Sequence, residues 1–338
     1  MNIYLLYSKE EETMKRVLAL CLAVMMCLGC LCAAAEETTY KVGVIQVVTH
    51  VALDSARDGF VQALKDNGLE EGKNLTLRLE NGQSEVTNMS TIADQFVSDQ
   101  MDLVLAIGTG AAQTMAGKTT EIPILGTAIT DYVVARLVDS NEQPGGNVSG
   151  TTDINPVAEQ IGLIKQFVPD AQTVGVFYTA SEDNSVLQAQ MAKEAIEAAG
   201  MTYVETTIIN SNDVQQAAQE LCGKCDAIYI PTDNTLASSM PIVYGVAVEA
   251  KKVIICGESG MCSGGGLATL GINYYDLGYQ TGLMAVKVLV EGADVSEMPI
   301  EKATKFEYYI NATVAEELGI EIPEELKPFA HEMETAGE

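Results

Sequence analysis

Tryptophan is absent from this 338-residue chain, histidine occurs twice, and basic residues are scarce: 19 Lys and Arg stand against 47 Asp and Glu, a formal charge of −28. Each shortage excludes something. Without tryptophan, one common stacking platform is missing. A surface this acidic repels phosphate backbones, so no nucleic-acid partner is expected. The acidity otherwise speaks for solubility and names no substrate. Catalytic signatures are also missing. There is no G-x-S-x-G elbow, no H-E-x-x-H pair and no phosphate-loop lysine motif. A Ser-His-Asp assembly around His50 would need an activated serine, and no elbow marks one. No metal and no cofactor are expected, and no enzyme.

Long apolar runs are missing too, except at the start. Met14-Lys15-Arg16 precedes an uncharged, mostly apolar stretch from Val17 to Ala35, followed by polar Glu36. This is an export signal in form, so residues 1–35 are set apart as a signal segment. Within it, residues 1–13 read as an extension from a misplaced start. Ala33-Ala34-Ala35 suits signal-peptidase cleavage, and Cys27-Leu28-Gly29-Cys30 suits lipidation at Cys30 less well. The mature chain is therefore placed outside the cytoplasmic membrane, as a surface lipoprotein or a periplasmic protein. An uncleaved anchor is the bland alternative. Four cysteines lie in the signal. The other four are Cys222, Cys225, Cys256 and Cys262. The C-x-x-C at 222–225 invites zinc or redox readings, against a structural disulfide or two small residues between a helix and a buried strand.

From residue 40 onward, apolar strands alternate with amphipathic helices. Strands are expected near 42–47, 75–79, 103–107 and 122–126, and helices over 53–68 and 86–98. Short strands with helical crossovers give parallel α/β sheets. The order then repeats. Thr173-Val174-Gly175 echoes Lys41-Val42-Gly43, Asp226-Ala227-Ile228 echoes Asp102-Leu103-Val104, and Val253-Ile254-Ile255 echoes Ile122-Pro123-Ile124, at offsets of 132, 124 and 131 residues. The fold class is α/β, with two similar Rossmann-like lobes joined by a multi-strand hinge. The first lobe is assigned 40–146 plus about 274–300, the second 147–272 plus about 301–328, and 329–338 form an acidic tail in which His331 is solvated.

In open parallel sheets, ligands sit beyond the carboxyl ends of the strands. The residues there in lobe one are Gln46 and His50, then Thr109, Gly110, Ala111 and Ala112, then Thr130 and Asp131. Lobe two offers Tyr178, Glu182, Asn184 and Ser185, then Asp233, Asn234 and Thr235, then Glu258 and Ser259. Small hydroxyls, amides and acids suit binding better than catalysis. Gly108-Thr109-Gly110 opens a helix whose free N–H groups can hold an anion, a carboxylate as well as a phosphate. It resembles the start of a dinucleotide fingerprint, but Gln113 stands where a third glycine belongs. Asp233, Glu182 and Glu258 are the candidate partners for a ligand ammonium.

Four stretches carry a resemblance in their order and spacing: 50–60 (from His50-Val51-Ala52), 144–151 (from Pro144-Gly145-Gly146-Asn147), 231–235 (Pro231-Thr232-Asp233-Asn234-Thr235), and 257–260 together with 268–272. Together they resemble ABC-transporter substrate-binding proteins of the type I periplasmic-binding fold, and within them the TrpX-like tryptophan and aromatic amino acid binding group. The resemblance implies a small, amino acid-like ligand captured by lobe closure, delivery to membrane permease subunits, and a monomer. The chain departs from the family at Val51, Gly110 and Tyr132, where proline is common. Tyr178, Tyr132 or His50 would have to replace a stacking tryptophan. An exported nucleotide-dependent α/β enzyme and a ligand-presenting sensor for a membrane receptor are the alternatives.

Overall fold

The computed structural model describes residues 39–332. The signal segment, both cleavage readings and the lipidation reading at Cys30 lie outside the described residues. The first sheet takes β1 (Tyr40–Gln46), β2 (Leu75–Asn81), β3 (Leu103–Ile107), β4 (Ile124–Ile129) and β5 (Val148–Thr152) in the order β2-β1-β3-β4-β5. All are parallel. The crossovers run through α1 (Val51–Asp66), α2 (Val86–Ser98) and α3 (Thr109–Ala116). β3 is buried along its whole length, as a parallel strand covered on both faces must be.

The second sheet repeats this winding with β6 (Thr173–Thr179), β7 (Thr202–Ile208), β8 (Ala227–Ile230), β9 (Val253–Cys256) and β10 (Ala268–Gly271), in the order β7-β6-β8-β9-β10. The helices are α4 (Val157–Phe167), α5 (Asp183–Ala198), α6 (Val214–Cys222), α7 (Asn234–Ser238), α8 (Met240–Glu249) and α9 (Ser259–Ser263). The repeat reaches single bonds. The Asp102 carboxylate accepts from Lys41 N at 2.7 Å, and the Asp226 carboxylate accepts from Thr173 N at 2.8 Å. Each acid ties the start of its lobe's third strand to the start of its first.

The chain then returns. α10 (Tyr274–Glu291) packs on α1, and Leu277, Met284 and Ala285 join the first lobe's core. The two helices approach to backbone contact. A Cβ on Gly278 would lie 1.8 Å from Ala56 O, and one on Gly59 would lie 2.0 Å from Tyr275 O. β11 (Glu301–Lys302) pairs with β5, while β12 (Glu307–Asn311), α11 (Ala312–Leu318) and β13 (Ala330–His331) complete the second lobe; β12 is antiparallel to β10. The chain therefore crosses between lobes after Thr152, after Gly271 and after Lys302.

Two expected boundaries shift. Residues 148–152, expected in the second lobe, form β5 of the first sheet, because Val148 to Gly150 run in register with Ile124 to Gly126; the Pro/Gly-rich stretch before them is a turn within the first lobe. Glu301 and Lys302 likewise stay with the first sheet. The tail is not wholly solvated either. His331 stacks on Tyr309 with ring centroids 4.4 Å apart, because β13 pairs with β12.

Candidate functional site

The carboxyl ends of both sheets face each other across a cavity of about 830 Å³. That volume lies within the range of small-molecule sites. Val47, Gln83, Met89, Thr109, Gly110 and Gln113 line it from the first lobe, and Glu182, Asp183, Asn184, Ile209, Asn234 and Thr235 from the second. The lobes touch around it. Gln113 Nε2 donates to Asp183 Oδ2 at 2.9 Å, and Gln188 Nε2 donates to Thr130 Oγ1 at 3.3 Å.

The first lobe's wall presents an uncapped helix start to the cavity. Gly108, the N-cap of α3, has φ 91° and ψ 150°, a backbone conformation open only to glycine. It carries no side chain that could cap the helix, so the N–H groups of residues 109–111 have no partner within it. Thr109 and Gly110 present this end to the cavity. Beside it, Gln83 and Ser84 both hold positive φ, 54° and 59°. Ser84 N donates to Val47 O at 2.8 Å and Gly82 N donates to Gln46 O at 2.8 Å; these bonds hold the strained loop in place. Val47, Val48 and Met89 supply the apolar surface. The lining holds the carboxyl side chains of Glu85, Glu182 and Asp183 and no basic residue, which disfavours a phosphate-bearing ligand.

The acids expected to meet a ligand ammonium are engaged inside the protein. Glu182 accepts from Thr235 N at 3.0 Å and Thr235 Oγ1 at 2.7 Å through one oxygen. Its other oxygen accepts from Asn234 N at 3.0 Å and Asn234 Nδ2 at 2.7 Å. Asp233 caps α7 through Leu236 N at 2.8 Å and holds Thr179 N at 2.6 Å and Thr179 Oγ1 at 2.9 Å. Glu258 caps α9 through Gly260 N and through Met261 N at 2.7 Å. Burial pushes the carboxyl groups of Asp233 and Glu258 up to about 7, with the neighbouring Glu182 charge adding to the shift at Asp233. Asp233 and Glu258 are therefore buried helix caps, whereas Glu182, which clamps the start of α7, also lines the cavity. The sequence marks them as polar groups after strands, a pattern that caps and ligand groups share.

Of the other expected site residues, Thr109, Gly110, Asn184, Asn234 and Thr235 reach the main cavity. Gln46, Ala111, Ala112, Thr130 and Ser185 are buried beside it. Gln46 Nε2 donates to Val48 O at 2.7 Å, and Asp131 caps its own turn through Val133 N and Val134 N. Ser259 lines a separate groove beside Tyr274 and Tyr309. Neither expected tyrosine offers a stacking face. Tyr132 is wholly buried, donating to Thr151 O at 2.9 Å. Tyr178 O–H donates to Glu205 at 3.2 Å, and Tyr178 is not among the residues lining the cavity. His50 lies beneath the cleft, with Nε2 3.5 Å from Asn234 Oδ1, and burial lowers its pKa to about 4. Sequence reasoning missed Gln83 to Met89 and Ile209 to Asn212. These follow β2 and β7, whose carboxyl ends obey the same rule and were passed over.

Cys222, Cys225, Cys256 and Cys262 are buried free thiols in the second lobe's core. Burial pushes the Cys225 thiol up to about 11. Among the described residues no group of acids, histidines and cysteines is arranged to hold a metal, and no helix is long and apolar enough to cross a membrane.

Two wound α/β lobes facing each other across a cleft, with three crossings, define the type I periplasmic binding protein fold. Within that class, the chain belongs to the ABC transporter substrate binding protein family, whose sequence profile matches residues 41–334. It is 43% identical to a tyrosine-binding protein of Clostridioides difficile (strain R20291) over 271 residues, 80% of this chain and 78% of that one. A Streptococcus pneumonia ABC domain in complex with L-Trp has a TM-score of 0.84 at 36% identity, covering 87% of this chain and 99% of that chain. A ligand-free, open Clostridium difficile substrate binding protein with adhesive properties has a TM-score of 0.68 at 43% identity, covering 88% and 100%. These relatives are binding proteins and not enzymes. Substrate-binding proteins of this family act outside the cytoplasm.

Proposed function

We propose that this chain captures an aromatic amino acid between its lobes, closes on it and delivers it to the permease of an ABC importer, acting as an exported monomer. The observation that carries the reading is the cavity itself. It joins an uncapped helix start at Thr109 and Gly110 to an apolar wall of Val47, Val48 and Met89, with acids but no basic side chain. Such a lining suits a zwitterion. The carboxylate lies on the N–H groups of α3. The ring lies against Val47 and Met89, with no aromatic side chain of the protein stacked on it. Asp183, the exposed acid opposite, meets the ammonium beside Glu182 and in place of the buried Asp233 and Glu258.

Closure has its own support. The L-Trp complex at 36% identity matches this arrangement more closely than the open, ligand-free protein at 43% does. A poorer match to the open, ligand-free relative despite its higher identity supports a closed placement of the lobes in this chain. Thermal-shift screening of the mature chain against amino acids, purines and small carboxylates tests the reading. L-tyrosine, L-tryptophan or L-phenylalanine should raise the melting temperature, because a ligand bound only by the native state stabilises it. A panel in which no amino acid shifts the transition overturns the proposal.

A further inference from the structure

Beneath the cleft lies a second, much smaller cavity of about 10 Å³. His50 enters from the first lobe, Thr232, Asp233 and Glu258 come from the second, and Asp153 and Tyr274 close it near the crossings. It shares Asn234 with the main cavity, whereas His50 does not line the main cavity. Two buried side-chain atoms of this lining are left short: His50 Nδ1 has no partner, and Thr232 Oγ1 has none at good hydrogen-bonding geometry, only the neighbouring Tyr274 hydroxyl whose acidity it influences. Such orphans are rare and costly.

A chain of bonds fixes what His50 Nδ1 requires. Glu182 accepts from Asn234 Nδ2 at 2.7 Å, so the amide cannot be turned without setting two acceptors against each other. Asn234 therefore presents its Oδ1 to His50 Nε2, at 3.5 Å. The contact is long, yet only a proton on Nε2 makes it favourable. The tautomer is thereby set, and Nδ1 is left as a lone pair. The other acids of the lining are committed elsewhere: Asp153 accepts from Tyr274 O–H at 2.8 Å and from Thr130 Oγ1 at 2.9 Å, Asp233 accepts from Thr179 and Leu236, and Glu258 from Gly260 and Met261. Asp54, in the first turn of the helix that His50 precedes, accepts from Gln46 and Arg57.

We propose that this cavity holds one water molecule, which donates to His50 Nδ1 and accepts from Thr232 Oγ1, and that this water latches the two lobes in the closed state. A space of this size is at the lower limit for a single water, and the site offers it the polar partners a buried water needs. Burial keeps His50 neutral near pH 7, so the lone pair is available. The bridge spans the lobes, so it forms only when they meet. His50 is thus a positioning residue for closure and not a ligand contact. The inference rests on the closure reading above and adds to it a site that no ligand atom occupies.

The test has two arms. The first is a crystal structure of the wild-type chain with L-tryptophan at about 1.5 Å or better. Density for one water within about 2.6–3.2 Å of both atoms is expected. Absence of that density, or the ligand's ammonium in its place, overturns the proposal. The second arm measures L-tryptophan affinity for His50→Phe, Thr232→Val and the double variant, each checked for folding by its melting temperature. Each single change should weaken binding by about 3- to 10-fold, the range of one net hydrogen bond, and the double variant should be no weaker than the poorer single. Additive losses, or no loss, overturn the latch. Failure of the wild type to bind any aromatic amino acid would instead sink the functional reading, while the water would still be decided by the density of the unliganded closed form.

Discussion

Asp233→Ala separates a clamp from a ligand group. In the structure this carboxylate is 1% exposed and accepts from Thr179 N, Thr179 Oγ1 and Leu236 N. Alanine orphans two buried backbone donors, at about 1–3 kcal/mol each. The Thr179 hydroxyl can rotate to another acceptor. One offset opposes this loss: burial makes ionised Asp233 unfavourable, and its removal relieves that. A net loss of about 2–4 kcal/mol follows. A protein of this size loses roughly 2–4 °C per kcal/mol, so the melting temperature should fall by roughly 5–15 °C. Differential scanning calorimetry at pH 7 with and without L-tryptophan reads both properties at once. The ligand-induced increment should survive in the variant, because no ligand contact is removed. A melting temperature within 2 °C or so of wild type, with the ligand increment abolished, would refute the reasoning and return Asp233 to the binding site.

Other outcomes follow from the same geometry. Glu258 titrates at about 7 in the fold against 4.5 when exposed. Its protonated form is therefore favoured by folding, and its stabilisation is complete below pH 4.5 and lost as pH rises through 7. Glu258→Gln should flatten this part of the stability–pH curve by up to about 3 kcal/mol, read from urea melts between pH 4.5 and 8. Gly108→Ala forces a Cβ to 2.7 Å from Val47 Cγ1 at φ 91°. It should cost about 2–4 kcal/mol and weaken L-tryptophan binding, since both Val47 and the start of α3 line the cleft; calorimetry with unchanged affinity and stability would contradict the wall assignment.

Much of the fold is written in the sequence because its strands are buried on both faces. β3 and α2 fall where the apolar run of 103–107 and the helical period of 86–98 put them. The repeat of Asp102 as Asp226 marks equivalent strand starts. What the sequence hides is direction. An acid after a strand looks alike whether it turns inward to cap α7, as Asp233 does, or outward to a ligand. Tyr132 follows β4 as a rim residue would, but the chain folds its ring under β5, where the hydroxyl meets Thr151 O. Lobe boundaries are equally silent, since Val148 to Thr152 have the burial of a central strand in either sheet. The apolar run at 75–79 marks β2, but β7 is half exposed with a weaker signal, and the loops after both strands, which complete the cavity, carry no residue type that sets them apart from ordinary turns.

The central claim is that the cleft holds a zwitterionic aromatic amino acid, its carboxylate on the start of α3. Isothermal titration of the mature chain with L-tyrosine and L-tryptophan, beside tyramine and tryptamine, tests it most directly. The account predicts one site per chain for at least one amino acid, and a loss of about 100-fold or more for the amine that lacks the carboxylate, as expected when a charge-assisted group is left without its partner. Equal affinity for amino acid and amine, or no binding of either, would contradict it.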